Sequence, residues 1–424
     1  MAIKHLIFGL LPFVCNGDSE RDLLNKIKGT GSENFFKGVF KRSSNDKANK
    51  YAAFAMDYTI VNGSLLLPVL ALQVRDFYFA FDHDDVEDVF GFKTAEKKSI
   101  CVPKQLKYNE RESIPLRDIV SGINDIFFKY QPKSKSKSKS KSESRSKLKL
   151  KSRSKSKSKS KLNTKLKPKS KTKELLRNDR QKFGAYVGVW QRAVYEFMED
   201  LSRIDECVYL AATVGHRLLY KMALKNQRVL LERVLDNPPK ENRMYDFYVD
   251  DIVGVQSLPI GLPAVFEEQR ALITALVGKS VTPYVISARP KVYSEALVKH
   301  FMLAIEPKNV FGSFSKAKEH TEDVDAVILT GNGIAIYDEG KVNKIKAELE
   351  GKTPVFVSGV TIGDFKMFDY VLENGGFALI HQFLPSPSQP VYMKYLAQAI
   401  ENKYGKAKRV HIQHVHQEDA TWSA

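Results

Sequence analysis

Asp57 follows the short apolar run 51–56, Ser287 follows the apolar run 281–286, Lys341 opens a helical segment after Gly340, and Asp364 precedes another. A carboxylate can pass a proton or hold a hard cation, while a hydroxyl and an ammonium group bind the oxygens of an anion. Taken singly, each has a plain structural reading: a turn-forming Asp57, a turn hydroxyl at Ser287, a surface Lys341 and a helix-capping Asp364. Asp82 and Asp84 stand in an acidic run that ends at Asp88, after the strand-like segment 77–81. That run reads either as a solvated turn or as two carboxylates placed to work as a pair.

The elements that would position these groups are legible from periodicity. Leu23, Leu24 and Ile27, then Phe35, Phe36, Val39 and Phe40, predict two small helices within 18–50. Residues 51–56 predict a buried strand that ends in a turn at Asn62, Gly63 and Ser64. The stretch 65–260 predicts a largely helical region, with Val187, Trp190, Val194, Phe197 and Leu201 at helical spacing. Beyond 260, helices at 266–277, 291–304, 341–350 and 365–373 alternate with strands at 281–286, 310–314, 326–330, 354–357 and 377–380. Such alternation predicts an α/β fold, a parallel doubly wound sheet whose ligands sit beyond the carboxyl ends of its strands. Chemistry is therefore expected at 55–59, 287–289 and 358–364.

In that order the residues resemble the haloacid dehalogenase (HAD) superfamily, in its branch similar to phosphoserine phosphatase and phosphorylcholine phosphatase. Phe54-Ala55-Met56-Asp57-Tyr58-Thr59 with Asn62-Gly63-Ser64 resembles the first motif, Asp-x-Asp-x-Thr, with Ala55 at its first acid. Val285-Ile286-Ser287 resembles the second, Gly340-Lys341 the third, and Ser358-Gly359-Val360 through Asp364 and Met367 the fourth. The resemblance covers about 155 residues at the C-terminal end and about 15 near 51–64, and implies a HAD-like Rossmannoid core: 18–64 as N-terminal helices and the first core strand, 65–260 as an inserted helical cap, 261–390 as the rest of the core and 391–424 as a tail or helix.

The chemistry such enzymes perform passes a phosphoryl group to an aspartate, and water then cleaves the aspartyl-phosphate; magnesium and cationic side chains offset the charge. By resemblance, Asp57 is the acid/base and offers its backbone carbonyl to the metal, Ser287 and Lys341 bind phosphate, and Asp364 lies near the metal. Ala55 can neither attack nor ligate, and Val360 stands where the fourth motif's metal-binding carboxylate belongs. An alternative alignment takes Asp364 and Asp369 as the acid pair. The paired loss points to a phosphatase-fold protein, of phosphomonoester hydrolase ancestry but catalytically impaired, that binds a small phosphorylated or anionic ligand with no cofactor. The alternative is an active magnesium-dependent hydrolase using Asp82 and Asp84 as the first motif.

The net charge of +18 would ordinarily point to a polyanionic partner. Its location matters more. Nineteen basic residues and the acid Glu143 lie within 133–173, so the rest of the chain is neutral overall. This Lys-Ser alternation, within an insertion at 131–175, has almost nothing apolar to bury and is expected to be disordered. It could act as an electrostatic tether to nucleic acid or an anionic surface. Lys4 and His5 followed by the apolar 6–15 resemble a signal peptide over 1–17, which implies a secreted or periplasmic chain if cleaved and a cytoplasmic one otherwise. Cleavage would leave Cys101 and Cys207, enough for one disulfide. No later apolar run is long enough to predict a transmembrane segment. Phe77, Tyr78, Phe79, Trp190, Phe247 and Tyr248 read as core or as a cage for a quaternary ammonium group.

Overall fold

Tyr51–Phe54 (β1) is apolar on both faces, as a strand covered on both sides requires, and it lies in the middle of a seven-stranded sheet. The computed structural model describes residues 19–45, 50–92, 102–107, 112–130, 177–198, 214–236, 244–249, 254–259, 261–313, 336–383, 391–416 and 419–423. The leader-like segment, Cys101, Cys207, the predicted strand at 326–330 and the Lys-Ser tract fall outside those residues.

Two amphipathic helices, α1 (Ser19–Lys26) and α2 (Glu33–Asn45), precede β1 as expected. After β1 the chain makes β2 (Val61–Asn62) and then an insertion: α3 (Leu66–Asp76), α4 (Val86–Val89), the hairpin β3 (Gln105–Lys107) and β4 (Ser113–Pro115), α5 (Leu116–Tyr130), α6 (Arg177–Met198), a 3-10 helix Val214–Leu219, α7 (Leu224–Asp236), and the hairpin β5 (Met244–Val249) and β6 (Gly254–Pro259). Segment 77–81 is not a strand. Its alternating Phe77, Phe79 and Phe81 instead pack with Phe127 and Phe183, ring centroids 5.0–5.8 Å apart, to form the core of the insertion. Each such ring withdrawn from water contributes on the order of 2 kcal/mol, which explains why these aromatics cluster. Trp190 is buried among Phe90 and Phe92 and donates its indole N–H to the Phe90 carbonyl. Phe77, Phe79 and Trp190 are therefore core residues and not a cage; the side chains of Phe247 and Tyr248 lie outside the described residues.

The sheet resumes with β7 (Ala264–Val265, paired with β2), α8 (Glu267–Gly278), β8 (Thr282–Pro290), α9 (Lys291–His300), β9 (Val310–Ser313), α10 (Glu339–Glu348), β10 (Phe356–Gly359), α11 (Phe365–Glu373), β11 (Phe377–Phe383), α12 (Val391–Tyr404), β12 (Val410–His416) and β13 (Thr421–Trp422). Its order is β13-β12-β11-β10-β1-β8-β9, parallel except for β13. Helices cover both faces. The fold is thus α/β with a mostly parallel central sheet, and its winding reverses at β1, between β8 and β10, where a crevice is expected beyond the carboxyl ends. The expected helix after 390 is α12, but the sheet does not end near 390: β12 and β13 extend it, so they belong to the core and not to a tail.

Among the described residues, no helix is long and apolar enough to cross a membrane.

Candidate functional site

Register brings the expected positions together. Phe54 lies level with Ser358 of β10 and Val285 of β8, and the Ala55 amide donates to the Ser358 carbonyl at 2.9 Å. Ala55, Ser287 and Val360 therefore leave three adjacent strands at the same end, and all are buried. Beyond Ala55 the chain turns tightly: the Met56 carbonyl accepts from the amides of Thr59, Ile60 and Val61, and Tyr58 takes a positive φ of 58°. That backbone is uncommon for a residue with a side chain, and it occurs here at the carboxyl end of the central strand.

Two ion pairs dominate this end of the sheet. Lys341 on α10 pairs with Asp364, and both side chains are almost wholly withdrawn from water, at 4% and 1% exposure. The other oxygen of Asp364 accepts from the amides of Val360 (2.9 Å) and Thr361 (2.8 Å) and lies 3.1 Å from the Thr361 hydroxyl. Both carboxylate oxygens are therefore committed within the protein. Gly359 permits this arrangement, because a Cβ there would stand 2.8 Å from the Asp364 carboxyl carbon. Asp369, the acid of the alternative alignment, sits instead on the far side of α11, bonded to Lys403 at 3.0 Å and to the Tyr404 hydroxyl at 2.7 Å.

The second pair involves a residue the motif reading passed over. Arg289 donates from Nε to Asp57 Oδ2 at 2.8 Å, and both are partly buried. The strand carrying it does not stop at Ser287; it continues to Pro290 through a register shift against β9. The irregularity redirects the side chain, as bulges near sites commonly do. Gly312 accommodates it, since any Cβ there would collide with the Lys291 amide and the Arg289 carbonyl. Ser287 Oγ accepts from the Arg289 amide at 3.1 Å, which braces the same bend. Arg289 also reaches the inserted region: its Nη1 lies 3.3 Å from where a Cβ on Gly215 would be. His216 and Tyr293 lie fully buried within its electrostatic influence. Burial, reinforced by Arg289, holds His216 well below its ordinary range, and burial pushes the Tyr293 hydroxyl up. Among the described residues that hydroxyl has no hydrogen-bond partner. The sequence signal for Arg289 was a cation two residues past a buried strand's apparent end, followed by a proline.

Asp82 and Asp84 belong to the turn before α4, not to a strand end. Asp82 caps the 3-10 turn His83–Asp85, accepting from the Asp84 amide at 3.1 Å, while Asp85 pairs with Lys221. Ligand atoms of Asp82, His83 and Asp84 fall within 4.8 Å of one another, an arrangement the turn itself produces.

The strand-end residues do not fit magnesium. That ion needs near-octahedral oxygen ligands. Ala55 and Val360 present hydrocarbon, both oxygens of Asp364 are committed, and the Asp57 carboxylate already faces a cation.

No family model and no curated protein matches the chain. Among solved structures it is similar to a conserved functionally unknown protein from Anaerococcus prevotii DSM 20548, at 15% identity with a TM-score of 0.60, over 93% of this chain and 94% of that one. At such identity the likeness shows the fold alone, and that fold extends over nearly the whole of both chains.

Proposed function

We propose that the chain is a non-catalytic protein of the haloacid-dehalogenase phosphatase type, its inserted helices serving as the cap and its strand-end crevice binding a phosphorylated or other anionic ligand without hydrolysing it. The observation that carries this reading is the commitment of Asp364 to Lys341 and to the Val360 and Thr361 amides, beside Ala55 and Val360 where carboxylates would be needed. Attack on phosphorus requires a nucleophile. A methyl group at the end of β1 supplies none. The crevice keeps Ser287 and Arg289, groups that suit anion recognition, on one strand, while Lys341 is already paired with Asp364.

The competing route through Asp82 has less support, because that carboxylate follows no strand and is used to cap a turn. Hydrolysis of p-nitrophenyl phosphate with magnesium discriminates between them. The expected outcome is turnover no greater than buffer; turnover abolished by Asp82→Asn would overturn the proposal.

A further inference from the structure

A cation already stands against Asp57, just beyond the end of β1. Arg289 Nε lies 2.8 Å from Asp57 Oδ2, set there by a register shift in β8 that only the missing side chain at Gly312 allows. The elements around it are polar although buried. Ser287 uses its oxygen to accept from the Arg289 amide, leaving its proton to donate, and the Tyr293 hydroxyl, fully enclosed on the first turn of α9, has no hydrogen-bond partner among the described residues. Buried hydroxyls without a protein partner ordinarily have an ordered water or ligand group nearby.

We propose that Arg289 stands in for the divalent cation, so that the crevice binds a phosphate group without metal, the anion taking the guanidinium from Asp57 with Ser287 and Tyr293 as added donors. This rests on the reading of the crevice as an anion site and adds its recognition residue and its metal independence. A guanidinium is suited to the exchange: its planar fork matches phosphate oxygens as well as it matches a carboxylate. The site is then self-closed when empty. Asp57 neutralises Arg289, and a ligand must compete with Asp57, so affinity is set by the difference between two charge-assisted contacts.

Titration calorimetry with inorganic phosphate tests this, on the full chain, in EDTA and again in millimolar magnesium. Binding is expected to be equal in the two buffers, weakened about tenfold or more by Arg289→Gln and tightened several-fold by Asp57→Asn, which removes the competing carboxylate. Because Arg289→Gln leaves Asp57 without its partner, the double variant Asp57→Asn/Arg289→Gln serves as the folded control: a wild-type melting profile with binding still lost is expected. Binding that needs magnesium, or that Arg289→Gln leaves unchanged, overturns the inference while the crevice remains an anion site. Phosphate bound by neither the wild type nor Asp57→Asn overturns the inference and, with it, the ligand half of the proposed function. Turnover of an aryl phosphate, measured separately, bears on the non-catalytic half alone.

Discussion

Lys341 and Asp364, which stand 23 residues apart in sequence, form an ion pair with both side chains at 4% exposure or less. Removing one partner from such a pair leaves a charge uncompensated in the interior, which costs about 3–5 kcal/mol. Lys341→Met is therefore expected to lower unfolding free energy by that order in urea. Asp364 does a second task by accepting from the Val360 and Thr361 amides. Lys341→Met/Asp364→Asn, which removes both charges yet keeps an acceptor for those amides, should recover most of the loss. If the double variant is as unstable as Lys341→Met, the pair is not the source of the cost.

Restoring carboxylates tests the alignment of Ala55 and Val360. Both side chains are buried at the ends of adjacent strands, so Ala55→Asp/Val360→Asp brings like charges close together and should destabilise the metal-free protein. Arg289 would still face Asp57, and it must go before a divalent ion can enter. The triple variant with Arg289→Ser is expected to gain thermal stability on adding magnesium, by about 2.7 kcal/mol at a hundredfold excess over its dissociation constant. The wild type should show no magnesium-dependent shift. A shift in the wild type would contradict the fit argued for this site.

How much of this was legible beforehand depends on whether local pattern or distant pairing decided it. β1, β8, β10 and β11 are short apolar runs between turn residues, so their existence followed from composition. β12 did not: in Val410 to His416 the apolar residues are outnumbered by His and Gln, and Gln413-His414 breaks the alternation that marks a strand. Segment 77–81 erred in the other direction, since alternating Phe residues satisfy strand periodicity equally well when they serve an aromatic cluster between helices. The positions of Ala55, Ser287 and Val360 at one end of the sheet were readable. The partners of Asp57, Lys341 and Asp364 were not, because a side chain's choice between solvent, ligand and ion pair is made by tertiary packing.

Two buried histidines give the protein a direction of pH response. His381 lies between the rings of Phe266 and Trp422 at 5.4 and 5.6 Å, and burial lowers its pKa to about 4 from 6.5. Burial and Arg289 lower His216 as well. Below pH 6.5 the unfolded chain takes up protons that the folded chain refuses, so stability falls as pH falls toward about 4. Each histidine contributes a slope of at most about 1.4 kcal/mol per pH unit. Urea midpoints between pH 7.5 and 5 should decline, and His381→Leu should make the decline shallower. An unchanged slope in that variant would mean His381 is protonated in the native protein.

The Lys-Ser tract joins two helices that are already held to each other. Lys129 Nζ lies 2.6 Å from Asp179 Oδ2, the Tyr130 hydroxyl donates to the same carboxylate, and Phe127 packs on Phe183 at 5.8 Å. Deleting 133–173 leaves Gln131, Pro132 and residues 174–176 to connect ends that are close together. Going from the whole connection to five residues is about three halvings, each worth about 0.6 kcal/mol of closure entropy, so the melting temperature should not fall and is expected to rise modestly. Retention on a heparin column should drop sharply, because that segment carries the whole net charge. A large loss of stability would place the tract within the folded structure.

Gly312 lies against the bend of β8 that carries Arg289. The bend that follows Ser287 brings the Arg289 carbonyl and the Lys291 amide to where a Cβ on residue 312 would stand. Neither atom belongs to a flexible side chain that could swing away, so Gly312→Ala must move β9 from β8 or straighten the irregularity. The first costs the hydrogen bonds at the end of the β8–β9 pairing, and the second redirects Arg289 away from Asp57. The cost is expected to be about 2–3 kcal/mol, in the range of overpacking in a core. Urea unfolding reads that cost, and phosphate titration separates the two routes. If β8 straightens, Gly312→Ala loses binding together with stability and does so like Arg289→Gln. If β9 moves instead, stability falls while binding persists, and the bend in β8 is then held by Ser287 and Pro290 rather than by its fit against Gly312.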